Sequence, residues 1–254
     1  MTIKLSDRLR QIASFIEPGE SVCDIGTDHG FLPIFLVQQG GHDPVIMSDV
    51  SSGSLDKAVA DAKGMLDADQ IPDARLGDGL DVLAPGEVDD VVIAGMGGRQ
   101  ILDILSWDIV KTLTYRKYIL QPRRDTALLR KWLEVNGFRT IGQYVAPENG
   151  RYSEIICVTS ENAVSRDVYF YDRKKLAEVF DDPDTLAMYE YPDDLIDSSG
   201  RGMDVRFFET ELYKTRMIIS GIEDHSNTYN AALDMHYGRL RRLEKLLAER
   251  KKPE

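Results

Sequence analysis

Four aspartates recur at a spacing that suits one ligand. Asp24 and Asp28 bracket the glycine turn of Asp24-Ile25-Gly26-Thr27-Asp28-His29-Gly30-Phe31-Leu32-Pro33; Asp49 ends the apolar run VIMSD, and Asp78 stands between Gly77 and Gly79. A glycine-rich turn between a strand and a helix ordinarily cradles a pyrophosphate on backbone amides. Here only Gly26 and Gly30 of the three expected glycines remain, with a carboxylate between them. That carboxylate would repel a pyrophosphate, which argues against a dinucleotide-dependent dehydrogenase. A ligand carrying cations and hydroxyls fits better. Asp49, 23 residues after Gly26, can accept hydrogen bonds from both hydroxyls of a ribose, and Asp78 is placed to meet an adenine amino group. The plainer alternative makes Asp24, Asp49 and Asp78 turn formers or caps, and Asp28 the N-cap of a helix starting near Phe31. Three acids at successive strand ends along one rim favour ligand contact.

Holding those acids in place requires a sheet. Residues 4–16 put Leu5, Leu9, Ile12 and Ile16 at helical spacing. Strand-like runs then cover 21–26, 45–49, 73–79, 90–98 and 117–122, alternating with helices over 31–39, about 54–69, 99–107 and 125–136. This alternation predicts a parallel sheet with helices on both faces. After Gly137 the runs FRTIGQYVA and YSEIICVTS flank Pro147-Glu148-Asn149-Gly150, a hairpin signal. A parallel sheet finished by an antiparallel hairpin is the strand programme of a class I methyltransferase, an α/β Rossmann-like fold, here expected over residues 1–160.

Residues 161–254 read differently, as an acidic connector and a helical arm. From Ala177 to Gly200 there is no Lys or Arg but eight acids, namely Glu178, Asp181, Asp182, Asp184, Glu190, Asp193, Asp194 and Asp197. The stretch is expected to be solvated and partly irregular, with a partner-binding acidic strip as the alternative. Beyond it, Val205, Phe208, Leu212, Thr215, Ile219 and Ile222 follow heptad steps, as do Tyr229, Leu233, His236, Leu240, Leu243 and Leu247. This is a coiled-coil seam, and the short break between the two runs predicts an antiparallel helical hairpin.

The chain of 254 residues is 43% apolar, enough for a sizeable core, and carries a net charge of −12. No apolar run approaches a membrane span and the first residues have no signal-peptide segment, so a cytoplasmic address is expected. Cys23 and Cys157 sit in apolar runs and are expected to be buried free thiols, not a disulfide or metal site. The acidity disfavours nucleic acid, but Arg116, Lys117, Arg123, Arg124, Arg130, Lys131 and Arg139 form a basic stretch. A second lies in Arg239, Arg241, Arg242, Lys245, Arg250, Lys251 and Lys252. The two are expected to supply separated phosphate contacts, against scattered surface charge as the alternative.

S-adenosylmethionine, which has no phosphates but carries an ammonium and a sulfonium, meets the requirements of the acidic turn. The motifs DIGTDHGFLP, SDVSSGSLDKA, RLGDGLDVL and IAGMGG resemble those of the TrmK family of tRNA (adenine-N1)-methyltransferases, over about residues 4–160. The resemblance implies methylation of N1 of adenosine 22 in the D-arm of tRNA. It implies cofactor contacts from Asp24, Gly26, Thr27, His29, Gly30, Asp49, Val50, Gly77, Asp78, Gly79, Ala94 and Gly95. Asp28 corresponds to the family's acid, and with Gly95 and Met96 it would face the target base. His29 would orient Asp28 or pack against the loop. A monomer is expected. The sequence departs from the family at Gly30-Phe31, at Gly53-Ser54-Leu55, and at Arg123-Arg124, where an Asn is common after LQP. Two other readings stay open, a methyltransferase of small molecules or proteins and a silent S-adenosylmethionine-binding subunit.

Overall fold

The strands at the centre of the chain alternate their apolar side chains between two faces, and this decides where the helices go. This computed structural model describes residues 3–164, 179–180, 182–197, 202–224 and 231–251. Its strands are β1 (Val22–Ile25), β2 (Val45–Asp49), β3 (Asp73–Leu76), β4 (Asp90–Met96), β5 (Lys117–Pro122), β6 (Arg139–Glu148), β7 (Arg151–Thr159) and β8 (Leu195–Ile196). They form one sheet in the order β3-β2-β1-β4-β5-β7-β6-β8. The first five pair in parallel. β7 runs antiparallel to both β5 and β6, and β8 lies parallel to β6 at the edge.

On one face, Cys23, Ile25, Val91, Ile93, Tyr118 and Leu120 pack with Ile101, Leu102 and Leu105 of α4 (Gly98–Trp107). Leu128, Leu129 and Trp132 of α6 (Thr126–Val135) complete that layer. The other parity, Val22, Val92, Ile119 and Cys157, packs with α1 (Asp7–Ala13) and α2 (Phe31–Gln39). α3 (Ser52–Met65) seats Leu55 and Ala58 against Ile34 and Met47. A single turn, α5 (Ile109–Thr112), follows α4. The two cysteines are buried and unbridged on opposite faces, and burial pushes the Cys157 thiol up to about 12. Among the described residues, no helix is long and apolar enough to cross a membrane.

Element ends move for local reasons. α1 starts at Asp7, not at residue 4, because Ser6 Oγ accepts from Leu9 N (3.3 Å). α3 starts at Ser52 because Ser51 Oγ accepts from Ser54 N (3.3 Å). The third strand stops at Leu76, leaving Gly77 and Asp78 as a loop before a 3-10 turn at Gly79–Val82.

The largest differences lie in the acidic stretch. Within it stands α7 (Pro183–Glu190), with Pro183 at its first position and the Asp182 carboxylate accepting from Thr185 N (2.8 Å). β8 follows. The described part of the stretch is therefore a helix and a short strand joined by a turn, more regular than expected; Glu178 and Asp181 lie outside the described residues. α8 (Met203–Glu223) and α9 (Ala231–Arg250) run antiparallel, as the ion pairs Asp204–Arg250, Arg216–Glu244 and Glu209–Lys251 require. Phe208, Thr215, Ile219, Leu243 and Leu247 of the heptads are buried, while Tyr229 lies outside the described residues. Phe207 and Leu246 are buried as well, in a cluster with Val145 of β6 and Leu195 of β8. The helix pair thus packs on the sheet.

Its basic residues are engaged internally. Arg239 meets Glu190 (2.5 Å), Arg241 meets Asp184 (2.8 Å), Arg242 meets Asp193 (3.0 Å) and Arg250 meets Asp204 (3.1 Å). Lys252 lies outside the described residues. The central basic stretch disperses too. Arg116 and Lys117 pair with Glu20 at the amino end of β5, and Arg130 is buried against Glu154 (2.7 Å). Arg123 and Arg124 alone follow the opposite end of that strand. Most of these cations therefore already have carboxylate partners within the protein, and of the central stretch Arg123 is left without one among the described residues.

Candidate functional site

Parallel strands all present their carboxyl ends to one rim, and the loops leaving β1, β2, β3 and β4 surround a cavity of about 670 Å³ there. The rim brings together Asp24, Gly26, Thr27, Asp28, His29, Asp49, Val50, Gly77, Asp78, Gly79, Ala94, Gly95 and Met96. Of the residues expected at the site, Gly30 is the exception. It packs away from the cavity, where a Cβ would lie 3.1 Å from that of Ala58, and it ends the turn through Gly30 N to Thr27 O (3.0 Å).

The turn after β1 is fixed by backbone. Gly26 N and Thr27 N both donate to Ser48 O (2.9 Å each), and Gly26 has φ +76° with Met96 Cε in the space a Cβ would fill. A side chain at position 26 would thus be strained and would expel Met96. Asp28 also has positive φ (50°), and its amide donates to Asp49 Oδ2 (3.3 Å). Asp28 does not cap α2. The N-cap is Gly30, which has no side chain to do so. The Asp28 carboxylate is left facing the cavity. His29 does not orient it: His29 Nδ1 lies 3.0 Å from Asp61 Oδ2 of α3, and the ring stacks on Phe31.

Asp49 accepts from Ser51 N (2.8 Å) as well as from Asp28 N. Each carboxylate oxygen so engaged keeps a further lone pair. Asp24 is buried and accepts from Thr27 Oγ1 (2.8 Å). Burial pushes it up to about 6, with the Thr27 hydroxyl and Arg8 opposing and Asp49 adding to the rise. Among the described residues, none of Asp24, Asp28, Asp49 and Asp78 has a cationic partner within 4 Å.

The end of β4 combines two functions. Gly95, with φ +80°, opens onto the cavity beside the Arg123 guanidinium. Gly98 answers to packing, since a Cβ there would come within 2.6 Å of Asp125 O. A close strand-to-helix crossing thus accounts for Gly98, while Gly95 opens on the cavity.

Sequence reasoning missed one wall. Lys4, Ser6, Arg8, Gln100, Ile104, Arg123 and Glu148 also line the cavity. Arg8 Nε donates to Glu148 Oε1 (2.7 Å), Arg8 Nη1 donates to Gln121 Oε1 (3.2 Å), and that same oxygen accepts from Gly95 N (3.0 Å). The first helix, the hairpin and the β4 tip are joined in this way. The only sequence signal was the amphipathic start of the chain, which says nothing of a partner 140 residues away.

The family described as "Methyltransferase domain" matches residues 5–156. The tRNA (adenine(22)-N(1))-methyltransferase of Bacillus subtilis is 32% identical over 61% of this chain and 64% of its own length, so less than two thirds of that relative is matched in sequence. In three dimensions the likeness is longer. The crystal structure of the B. subtilis M1A22 tRNA methyltransferase TrmK superposes with a TM-score of 0.71 at 25% identity, covering 96% of this chain and 99% of that one. A Streptococcus pneumoniae protein solved in complex with S-adenosyl-L-methionine gives 0.74 at 25% identity over 96% and 100%. The resemblance to the TrmK family therefore extends from the motifs to the whole fold.

Proposed function

Because this chain belongs to the methyltransferase-domain family, we propose that it transfers a methyl group from S-adenosylmethionine to N1 of adenosine 22 in tRNA. The observation that carries the reading is the set of four carboxylates, without an ion-pair partner among the described residues, around one cavity. Its volume is in the range of cofactor sites. Such a lining attracts a cationic, hydroxyl-bearing ligand and repels a pyrophosphate. The tRNA target comes from the likeness to the B. subtilis relative.

S-adenosylmethionine supplies an electrophilic methyl group on a sulfonium. The remaining lone pairs of Asp49 accept from ribose hydroxyls, and Asp78 accepts from the adenine amino group. Gly26 and Thr27 line the turn, with Gly77, Gly79, Val50 and Ala94 closing the pocket around it. N1 of a neutral adenine carries an in-plane lone pair and no proton. Transfer to it needs alignment and exclusion of water, with no general base. Gly95 leaves room for a planar base at the β4 tip, and Met96 offers a polarizable face to it. Asp28 accepts a hydrogen bond from the target amino group and favours the positive charge that develops on the purine. The adenosine must leave its stack to reach this depth.

A small-molecule acceptor is the second reading, and one observation favours it: the arginines of α9 are engaged with the chain's own acids. Incubation with labelled S-adenosylmethionine and unmodified bulk tRNA separates the two. Label recovered as 1-methyladenosine at position 22 is expected; tRNA left unlabelled, or labelled at another base, would reject the assignment.

A further inference from the structure

Beside the cofactor cavity, and sharing Arg123 and Glu148 with it, lies a second cavity of about 540 Å³. It is bounded by the carboxyl end of β5, the first residue of α6 and the β6–β7 hairpin. The two glutamates that line it are both neutralised. Glu148 is held by Arg8 (2.7 Å) and Glu154 by Arg130 (2.7 Å). Two arginines in the same lining, Arg123 and Arg151, are exposed and have no acidic partner within 4 Å among the described residues. The helix that starts here adds to the imbalance. Asp125 occupies the N-cap of α6 in a left-handed conformation without accepting a side-chain hydrogen bond from the first turn, and Thr126 lines the cavity. Open amides at a helix N-terminus carry partial positive charge. In a protein of net charge −12, two arginines without acidic partners make this a locally positive cavity, although the Asp125 carboxylate lies at the same helix end beside Arg99 and Arg124, and it adjoins Gly95, the proposed seat of the methyl acceptor.

We propose that the second cavity binds a phosphodiester of the RNA substrate, with Arg123 and Arg151 as its cations and the α6 amides behind them. The proposal rests on the reading of the acceptor as RNA. It gives the target nucleotide a grip on its backbone within reach of the β4 tip, independent of α9.

The test uses the full chain and the variants Arg151→Ala, Arg151→Lys and Arg123→Ala/Arg151→Ala. Affinity for unmodified tRNA is measured against salt concentration, with the thermal melting midpoint of each variant as the check on folding. Each lost phosphate contact should flatten the slope of log Kd against log salt by about 0.7–0.9. Arg151→Ala should raise the KM for tRNA roughly tenfold at low salt with kcat kept, a split expected when an interaction made equally in ground and transition states is removed. Arg151→Lys should recover most of the slope. Slopes equal to that of the unmodified protein would overturn the site. If the unmodified protein neither binds nor methylates tRNA, the functional reading fails, and the cavity is then judged with AMP against adenosine. Tighter binding of AMP, lost in the double variant, sustains a nucleotide-phosphate site. Equal affinity for the two, or binding of neither, rejects it.

Discussion

At the rim of the sheet Asp28, Asp49 and Asp78 face a cavity and have no cationic partner within 4 Å among the described residues, whereas Asp184, Glu190, Asp193 and Asp204 each meet an arginine of α9. The residue types match, and the local sequences are similarly acidic. What differs is where the compensating bases arrive. The acids of 184–204 are answered by residues 46 to 57 positions later, and the charge is used up in holding α7, β8 and the helix pair to the sheet. The rim acids form no ion pair within 4 Å among the described residues. A carboxylate left unpaired at a concave surface is available to a ligand, and one paired across layers is part of the framework.

The contrast breaks most visibly at Arg130. This buried side chain bonds Gln143 Oε1 (2.5 Å), Glu154 Oε2 (2.7 Å) and the carbonyls of Tyr189 and Glu190 at the end of α7. Arg130→Ala should cost about 3–5 kcal/mol of stability, because it strands a half-buried carboxylate and two helix-end carbonyls. Urea denaturation measures it, and an unchanged midpoint would mean the acidic segment is held by packing alone. At the rim the expectation reverses. Asp49→Ala should weaken S-adenosylmethionine binding by about 1.5–3 kcal/mol, with a smaller shift in denaturation midpoint than Arg130→Ala gives. Calorimetric titration at constant affinity would remove Asp49 from the site.

Asp28→Ala should lower turnover roughly ten- to a hundredfold, about 1.4–2.8 kcal/mol, while cofactor affinity stays. A parallel fall in affinity and melting temperature would make Asp28 a loop-shaping residue. Asp24 sharpens the comparison, since it is a rim acid that costs stability. Its folded value of about 6 lies above the usual 3.8, so the native state holds the proton more tightly than the unfolded chain. Its contribution is favourable at low pH and is lost as pH rises from about 4 through 6. Asp24→Asn should therefore stabilise the fold by about 1–3 kcal/mol at pH 8 and by nothing near pH 3. In the unmodified protein, cofactor affinity should weaken below pH 6 as Asp24 protonates. Stability profiles of the pair that run parallel across pH 3–8 would refute the assignment. The smallest effect belongs to Asp184→Ala, which removes an exposed pair with Arg241 and should cost less than ~1 kcal/mol.

The strand–helix alternation was legible because each central strand carries its own apolar parity and each turn its own glycine or acid. The rim acids were legible for the same reason: strand ends are local, and parallel pairing alone brings them to one side. The charges of the last third were not. Asp182 as an N-cap and Pro183 at N1 were written locally, but the absence of bases nearby masked a helix whose partners come from α9 and from Arg130. Of the two roles open for His29, packing against the loop is the one the structure shows, and its partner Asp61 was not legible because it belongs to a different helix. Arg8 stood in a predicted helix with nothing to show that it would reach Gln121 and Glu148.

The Arg8–Glu148 link also has a bearing on the order of assembly. Its two residues are 140 positions apart, and the strands that carry Asp24, Asp49 and Gly95 lie between them. During synthesis these strands can pair before the hairpin has left the ribosome, but the cavity wall cannot close until it has. Contacts so distant in sequence are slow to form, because the loop entropy is lost before the contact repays it. Binding competence is therefore acquired late, after the sheet exists, and the ligand cavity is a property of the finished domain and not of its early folding core.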